Sequence, residues 1–155
     1  RLVDRAAVVV EASRPRALRQ WGLDAETEVG GGTVWVSITG YGRVGPRSGG
    51  VAFGDDAAVS GGLLLDNPIG FVADAPADPA GGLVAAVLAL AGVADPAGWL
   101  VDVPLAGVAA WLAGDSRVPD HPAEVGVAPP RARRVGESAA GLGTDTEKVA
   151  ASLGS

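Results

Sequence analysis

Residues 71–94, FVADAPADPAGGLVAAVLALAGVA, constrain the fold more than any other stretch. Asp78 followed by Pro79 predicts a helix N-cap and first helical position. An Asp side chain accepts the free N–H groups of a first turn, and Pro there has no N–H to satisfy. From residue 83 to residue 93 every side chain is apolar apart from Gly92. A helix without a polar face must be covered all round, so this one is expected at the centre of the molecule, buried on all sides. One carboxylate, Asp78, stands at its mouth, with Gly81 and Gly82 beside it leaving the backbone open. Taken alone, that carboxylate is simply a cap.

The flanking sequence supplies strands and helices in alternation. Residues 7–11 form a short apolar run, expected as a buried parallel strand. Ser13, Arg14 and Pro15 start a helix to about Trp21, closed by Gly22. Gly30 to Gly32 form a loop, and residues 33–39, TVWVSIT, are β-branched and aromatic enough for a second strand. Residues 40–50 are loop, and residues 55–65 a helix weakened by Gly61 and Gly62. A third strand spans 98–103, and a helix with Pro104 near its first turn runs to 113. The expected class is α/β, with a partial Rossmann-like parallel sheet. Residues 1–113 form this core. Residues 114–141, with Pro119, Pro122, Pro129 and Pro130, are a surface linker. Residues 142–155 hold a terminal helix, capped by Thr144 or Asp145 and ended by Gly154.

Composition excludes several kinds of chemistry. With 155 residues, 48% hydrophobic and 19% charged, the chain is globular and long enough for one real core. It has no Cys and a single His, His121, so disulfides, thiolate metal sites and a Ser-His-Asp triad are not expected, and no metal is. Asp55 and Asp56 lack a third ligand nearby and suit a helix N-terminus better than a metal. Residues 1–47 carry seven Arg and five acids, residues 48–125 ten acids and one Arg, and residues 126–155 four bases and three acids. The acidic middle argues against nucleic acid. Arg131, Arg133 and Arg134 fit a solvated tail, and the four Trp fit core or interface. No apolar run is long enough for a bilayer and no signal peptide is visible, so no membrane and a cytoplasmic location are expected. The absence of Met and a strand directly behind Arg1 suggest the interior of a longer chain. Gly40-Tyr41-Gly42-Arg43-Val44-Gly45 has the G-x-G-x-x-G spacing, but Pro46 and two further glycines follow where a pyrophosphate-binding helix should continue.

Six stretches in order resemble one family, the family III CoA-transferases of the formyl-CoA transferase and carnitine CoA-transferase type. VVVEASRPRAL at 8–18 resembles V-V-E-N-F-R-P-G-x-L. SITGYGRVGP at 37–46 is similar to S-I-T-G-[FY]-G-x-x-G-P, and FGDDAAVSGG at 53–62 to Y-D-x-x-A-Q-A-x-S-G. ADPAGGL at 77–83 resembles A-D-x-x-x-G-L, GWLVDVPL at 98–105 resembles G-Q-x-V-D-V-S-L, and LGTDTEKVAASLG at 142–154 resembles L-G-E-H-T-x-x-V-L-x-x-L-G.

The resemblance implies transfer of CoA between an acyl-CoA and a carboxylic acid, with coenzyme A as carried group and Asp78 as nucleophile. It places Asp55 on an acidic position lining the same site, Ala12, Ser13 and Arg14 on the segment that touches CoA, and Tyr41 and Gly42 near the thioester. Where the family carries a CoA-contacting Arg, this chain has Gln20, with Arg19 adjacent. A carboxylate suffices against a thioester. Backbone N–H groups near Gly81 and Gly82 are expected to hold the oxyanion, and the positive end of the helix favours negative charge at Asp78. The family's N-terminal Rossmann-like half would precede Arg1, and its small second domain has only residues 114–141 in its place. A homodimer, or a heterodimer with a chain supplying the missing half, is expected, since a fully apolar helix overexposes a monomer. Two alternatives remain. An acyl-CoA racemase of the same fold needs an acid–base His, where this chain has Gly54. A non-catalytic subunit or remnant would keep only the core and the dimer surface.

Overall fold

The computed structural model describes residues 2–13, 15–114, 136 and 138–154. Its centre is strand β2, Val34–Thr39, flanked by β1, Val8–Glu11, and β5, Trp99–Pro104, in a parallel sheet of order β1-β2-β5. β2 is buried on both faces because its side chains alternate. Val34 and Val36 point into a cluster with Val101, Val103 and the helical residues Ala85 and Val108. Trp35 points the other way, onto Leu18 and Ala25. Burying a Val or Trp contributes roughly 1.5–3 kcal/mol, so this one strand anchors two cores.

Helices α1, Pro15–Gln20, and α2, Ala25–Glu28, supply the Trp35 side. On the Val34 side lie α4, Ala77–Gly92, and α5, Leu105–Ala113. Helix α3, Gly54–Ser60, joins them through an alanine-rich seam of Ala57, Ala58, Ala77, Leu105, Ala106 and Ala109. Small side chains let these backbones approach closely. A terminal helix, α6, Thr146–Leu153, is held by Arg5, whose guanidinium donates to the carbonyls of Ser152 and Leu153 at 2.9 and 3.0 Å. That places a cation at the helix's negative end.

The three parallel strands and their helices match the α/β expectation, and several local expectations are corrected. The loop before β2 contains α2 and a 3-10 turn at Val29–Gly31. α3 stops at Ser60 and not near 65. Gly61 closes it, and residues 64–71 instead form the antiparallel hairpin β3, Leu64–Asp66, with β4, Ile69–Phe71, around a cis Asn67-Pro68 bond. α6 begins after Asp145, which makes no side-chain cap, while the Thr144 hydroxyl donates to the Gly141 carbonyl. The largest correction concerns α4. Its N-cap is Pro76, and Asp78 lies inside the first turn. The helix is not buried all round: Leu83, Val87 and Leu90 are 71, 65 and 77% exposed. The sheet and α5 cover one flank only. His121, the four prolines of the 114–141 stretch, Arg131, Arg133 and Arg134 lie outside the described residues. Among the described residues no helix is long and apolar enough to cross a membrane.

The seam makes glycine at 61 obligatory. A Cβ there would fall 2.5 Å from Ala109 Cβ and 2.6 Å from the Ala110 nitrogen. Gly61→Ala is expected to cost about 1–3 kcal/mol through overpacking, read as a lowered melting temperature. Gly82→Ala, where nothing lies within 4 Å, is expected to raise stability by up to ~1 kcal/mol through helix propensity.

Candidate active site

Parallel strands bring their carboxyl ends to one edge. Here Glu11, Ser37 and Asp102 sit side by side in register. Between them runs the guanidinium of Arg43, from the loop after β2, with only 7% of its side chain exposed. Its NH1 donates to Ser37 Oγ and its NH2 to Glu26 Oε1, each at 2.7 Å, and Glu11 Oε1 is 3.6 Å away. The Ser37 hydroxyl donates to Glu11 Oε1, whose other oxygen accepts the Ser13 N–H at 2.7 Å. A buried cation is tolerable only when paired in this way. A hydrogen bond from Asp24 and then one from Arg43 hold the Glu26 carboxyl down at about 2, from 4.5. The same Asp24–Glu26 hydrogen bond pushes Asp24 up, so Asp24 takes the first proton of the pair.

The loop after β2 is fixed by the same edge. Thr39 Oγ1 accepts the Gly42 N–H at 2.9 Å and donates to Asp102 Oδ1 at 3.1 Å, while Asp102 Oδ2 accepts the Arg43 N–H at 2.7 Å. Gly42 has φ 96°, and a Cβ on it would lie 3.3 Å from Asp102. Two backbone donors of the G-x-G-x-x-G stretch are therefore satisfied by side chains, and no helix follows it. The stretch thus lacks the helix N-terminus that cradles a pyrophosphate. Arg47 stacks over the Tyr41 ring, 4.2 Å from its centroid.

At this edge opens a cavity of about 370 Å³, walled by Ala12, Ser13, Thr39, Gly40, Ser48 and Asp78 among others. Asp78 is its sole titratable wall residue among the described residues. Among the described residues nothing is hydrogen-bonded or ion-paired to the Asp78 carboxylate. The carboxylate is pressed against the start of α3: a Cβ on Gly54 would fall 2.7 Å from both Cγ and Oδ2 of Asp78. A crevice outside the carboxyl ends of parallel strands is where open α/β sheets take ligands. A larger groove, about 630 Å³ between α4 and α5, is nearly all apolar. Its one carboxylate, Asp102, is already committed to the loop, so that groove offers no chemistry.

The structure brings together Ala12, Ser13 and Asp78 of the residues expected at the site. Tyr41 lies behind the wall, its ring against Gly50, and Gly42 turns toward Asp102. Asp55 is not on the wall, and its Oδ1 accepts the Ala75 N–H at 2.7 Å. Arg19 is at the far end of α1, 3.8 Å from Asp24. Arg14 lies outside the described residues. Gly81 and Gly82 are corrected as oxyanion donors. Both are inside α4, where the helical repeat directs their N–H groups to the carbonyls of Ala77 and Asp78. Gly81 is packed on Leu105, and Gly82 faces open space. Glu11, Ser37, Arg43 and Gly54 were not anticipated. A strand ending in Glu, and a Ser in the middle of an apolar strand, were the available signals for the first two. Among the described residues no cluster of His, Cys, Asp or Glu is placed to hold a metal.

This arrangement is an α/β core with, among the described residues, one cavity-wall carboxylate free of hydrogen bonds and ion pairs at the sheet's carboxyl edge. The sequence model of CoA-transferase family III matches residues 1–141, and the chain belongs to that family. No curated protein matches the chain. Among solved structures it is similar to a CAIB/BAIF family protein from Brucella suis, with 24% identity and a TM-score of 0.67 over 74% of this chain and 33% of that one. It is also similar to a hypothetical protein from Mycobacterium tuberculosis, with 25% identity and a TM-score of 0.64 over 72% of this chain and 36% of that one. The chain thus spans about one third of the length of these structures.

Two outcomes are expected for the buried network. Arg43→Ala leaves Glu11 buried without its cation and should cost about 3–5 kcal/mol in denaturant unfolding. Glu26 is lowered in the folded state, so its stabilisation is full above 4.5 and lost as pH falls toward 2. Asp24, raised, acts in the opposite sense and offsets part of that loss. The stability difference between wild type and Glu26→Gln should therefore shrink on acidification across this window.

Proposed function

We propose that this chain carries the nucleophile-bearing core of a CoA-transferase, with Asp78 as the group that exchanges CoA between an acyl-CoA and a carboxylic acid. One observation supports it above the others. Asp78 is an uncommitted carboxylate on a cavity whose wall also holds Ala12 and Ser13. An Asp serving purely as a cap would be bonded to its own first turn, and this one is not.

The chemistry balances without a metal or redox partner. An Asp78 oxygen attacks the thioester carbonyl, the C–S bond breaks, and CoA leaves as a thiolate, giving a mixed anhydride. The thiolate attacks the Asp78 carbonyl of that anhydride and expels the first acid as a carboxylate, leaving an aspartyl-CoA thioester. The acceptor carboxylate attacks this carbonyl and releases thiolate, and the thiolate takes the acceptor's acyl group. Asp78 is regenerated. Each tetrahedral step places charge on an oxygen. With the α4 glycines engaged in their helix, Ser13 and Ser48 are the hydroxyl-bearing wall residues available to meet it. The racemase alternative gains no support, since Gly54, which has no proton to exchange, is the residue packed against Asp78.

Residues 1–113 serve as this core, with residues 114–141 as a connection to the terminal helix. Acyl-CoA and an acid are the small-molecule partners. A second copy, or a chain supplying the N-terminal half, is the protein partner, a reading that the exposed apolar flank of α4 supports.

The test is incubation with acetyl-CoA or succinyl-CoA in the presence of hydroxylamine, which converts an activated aspartyl group to a hydroxamate. Peptide mass spectrometry should find the hydroxamate at Asp78 in the wild type, and Asp78→Asn should abolish it. A wild-type chain that never forms it, with or without a partner chain, is a non-catalytic subunit.

A further inference from the structure

Asp78 is delivered by a turn that the chain would not adopt unaided. Ala75, three residues earlier, has φ 43°, the sole non-glycine residue with positive φ among the described residues. A left-handed backbone is unfavourable for a residue with a Cβ. The Ala75 N–H donates to Asp55 Oδ1 at 2.7 Å, a short charge-assisted bond from the first turn of α3. The Ala75 carbonyl then accepts the Asp78 N–H at 3.1 Å. Gly54, next to Asp55, closes the arrangement. A Cβ there would lie 2.8 Å from Ala75 Cβ as well as 2.7 Å from the Asp78 carboxylate. One dipeptide of α3 therefore holds the turn with one residue and seats the carboxylate against the other.

We propose that Asp55 is a positioning residue: by clamping the Ala75 N–H it fixes the left-handed turn that sets the Asp78 carboxylate against Gly54 and on the cavity wall. It does not bind ligand. This rests on the reading of Asp78 as nucleophile. Asp55 is absent from the cavity wall, and the oxygen through which it acts is engaged with backbone. Releasing the clamp lets Ala75 return to an ordinary φ and rotates the first turn of α4, which carries Asp78 with it. A displacement on the order of 1 Å costs about 10²-fold in rate.

The hydroxylamine trap at Asp78 is run with acetyl-CoA or succinyl-CoA on the full chain, Asp55→Ala and Asp55→Asn, as a function of acyl-CoA concentration. The Ala75 amide proton is followed by NMR in parallel. Asn retains an acceptor oxygen without the charge. Asp55→Ala is expected to lower the maximal rate roughly 10–100-fold with half-saturation unchanged. Asp55→Asn is expected to stay within about threefold of wild type. The downfield Ala75 amide shift should vanish in Asp55→Ala and persist in Asp55→Asn. The proposal is overturned if Asn is as slow as Ala, if Ala keeps the wild-type rate, or if half-saturation moves while the rate holds. If Asp55→Ala does not fold, Asp55→Asn decides: retained rate and amide shift support the clamp, and loss of either sinks it. If the wild type forms no hydroxamate, the transferase reading fails, and the Ala75 amide shift alone decides the clamp.

Discussion

The guanidinium of Arg43 is the interaction on which the site depends. A cation so far out of water must be paired, and its partners come from β1, β2 and α2. Satisfying one charge thus ties the ends of two neighbouring strands to a helix on the Trp35 face. It also pins the loop that carries Arg43, whose own N–H goes to Asp102 on the third strand. Glu11 passes the constraint on, because its second oxygen holds the Ser13 N–H. Two walls of the cavity, the segment after β1 and the loop after β2, are therefore set by a single buried ion cluster. Buried ion pairs of this sort add little net stability against an apolar replacement. Their effect here is geometric.

The third wall depends on missing side chains. α3, α4 and α5 meet through alanines and glycines, and at Gly54, Gly61 and Gly81 even a methyl group would collide with a neighbour. Small residues contribute little apolar area, so this seam is a place where stability is given up for closeness. The gain is that the first turn of α4 lies flush against the first turn of α3. A carboxylate at that junction meets two helix starts, where backbone N–H groups favour negative charge. The alanine seam and the position of the Asp78 carboxylate are two consequences of one packing choice.

The sheet was legible because its strands are apolar and β-branched: residues 7–11, 33–39 and 98–103 each fell within a residue or two of an observed strand. α5 was legible from its proline start. The errors have physical causes. By sequence Gly61 and Gly62 are merely weak helix formers, whereas the packing of α5 on Gly61 makes it the stop of α3. The β3–β4 hairpin carries few turn signals beyond Asn67 and Pro68. The resemblance expects Asp78, Ala12 and Ser13 at the site, and the structure puts all three on the wall of one cavity. Asp55 is expected to line the site, and the structure engages its Oδ1 with the Ala75 N–H, since side-chain direction is not written in spacing. Gly81 and Gly82 misled because a glycine pair suggests an open backbone, whereas in a helix interior the N–H groups are already engaged. Arg43 escaped notice inside a stretch read for its glycines.

The apolar circumference of α4 links the site to its surroundings. The sequence makes every face of this helix fit for burial, and the described residues cover one flank. Asp78 and Leu83 are five residues apart on that helix and face different sides, Leu83 onto the apolar groove against α5 and Asp78 onto the cavity at the sheet edge. The helix therefore divides its tasks along its length: its first turn carries a polar side chain on the cavity wall, and its later turns carry apolar side chains whose exposure favours a covering surface.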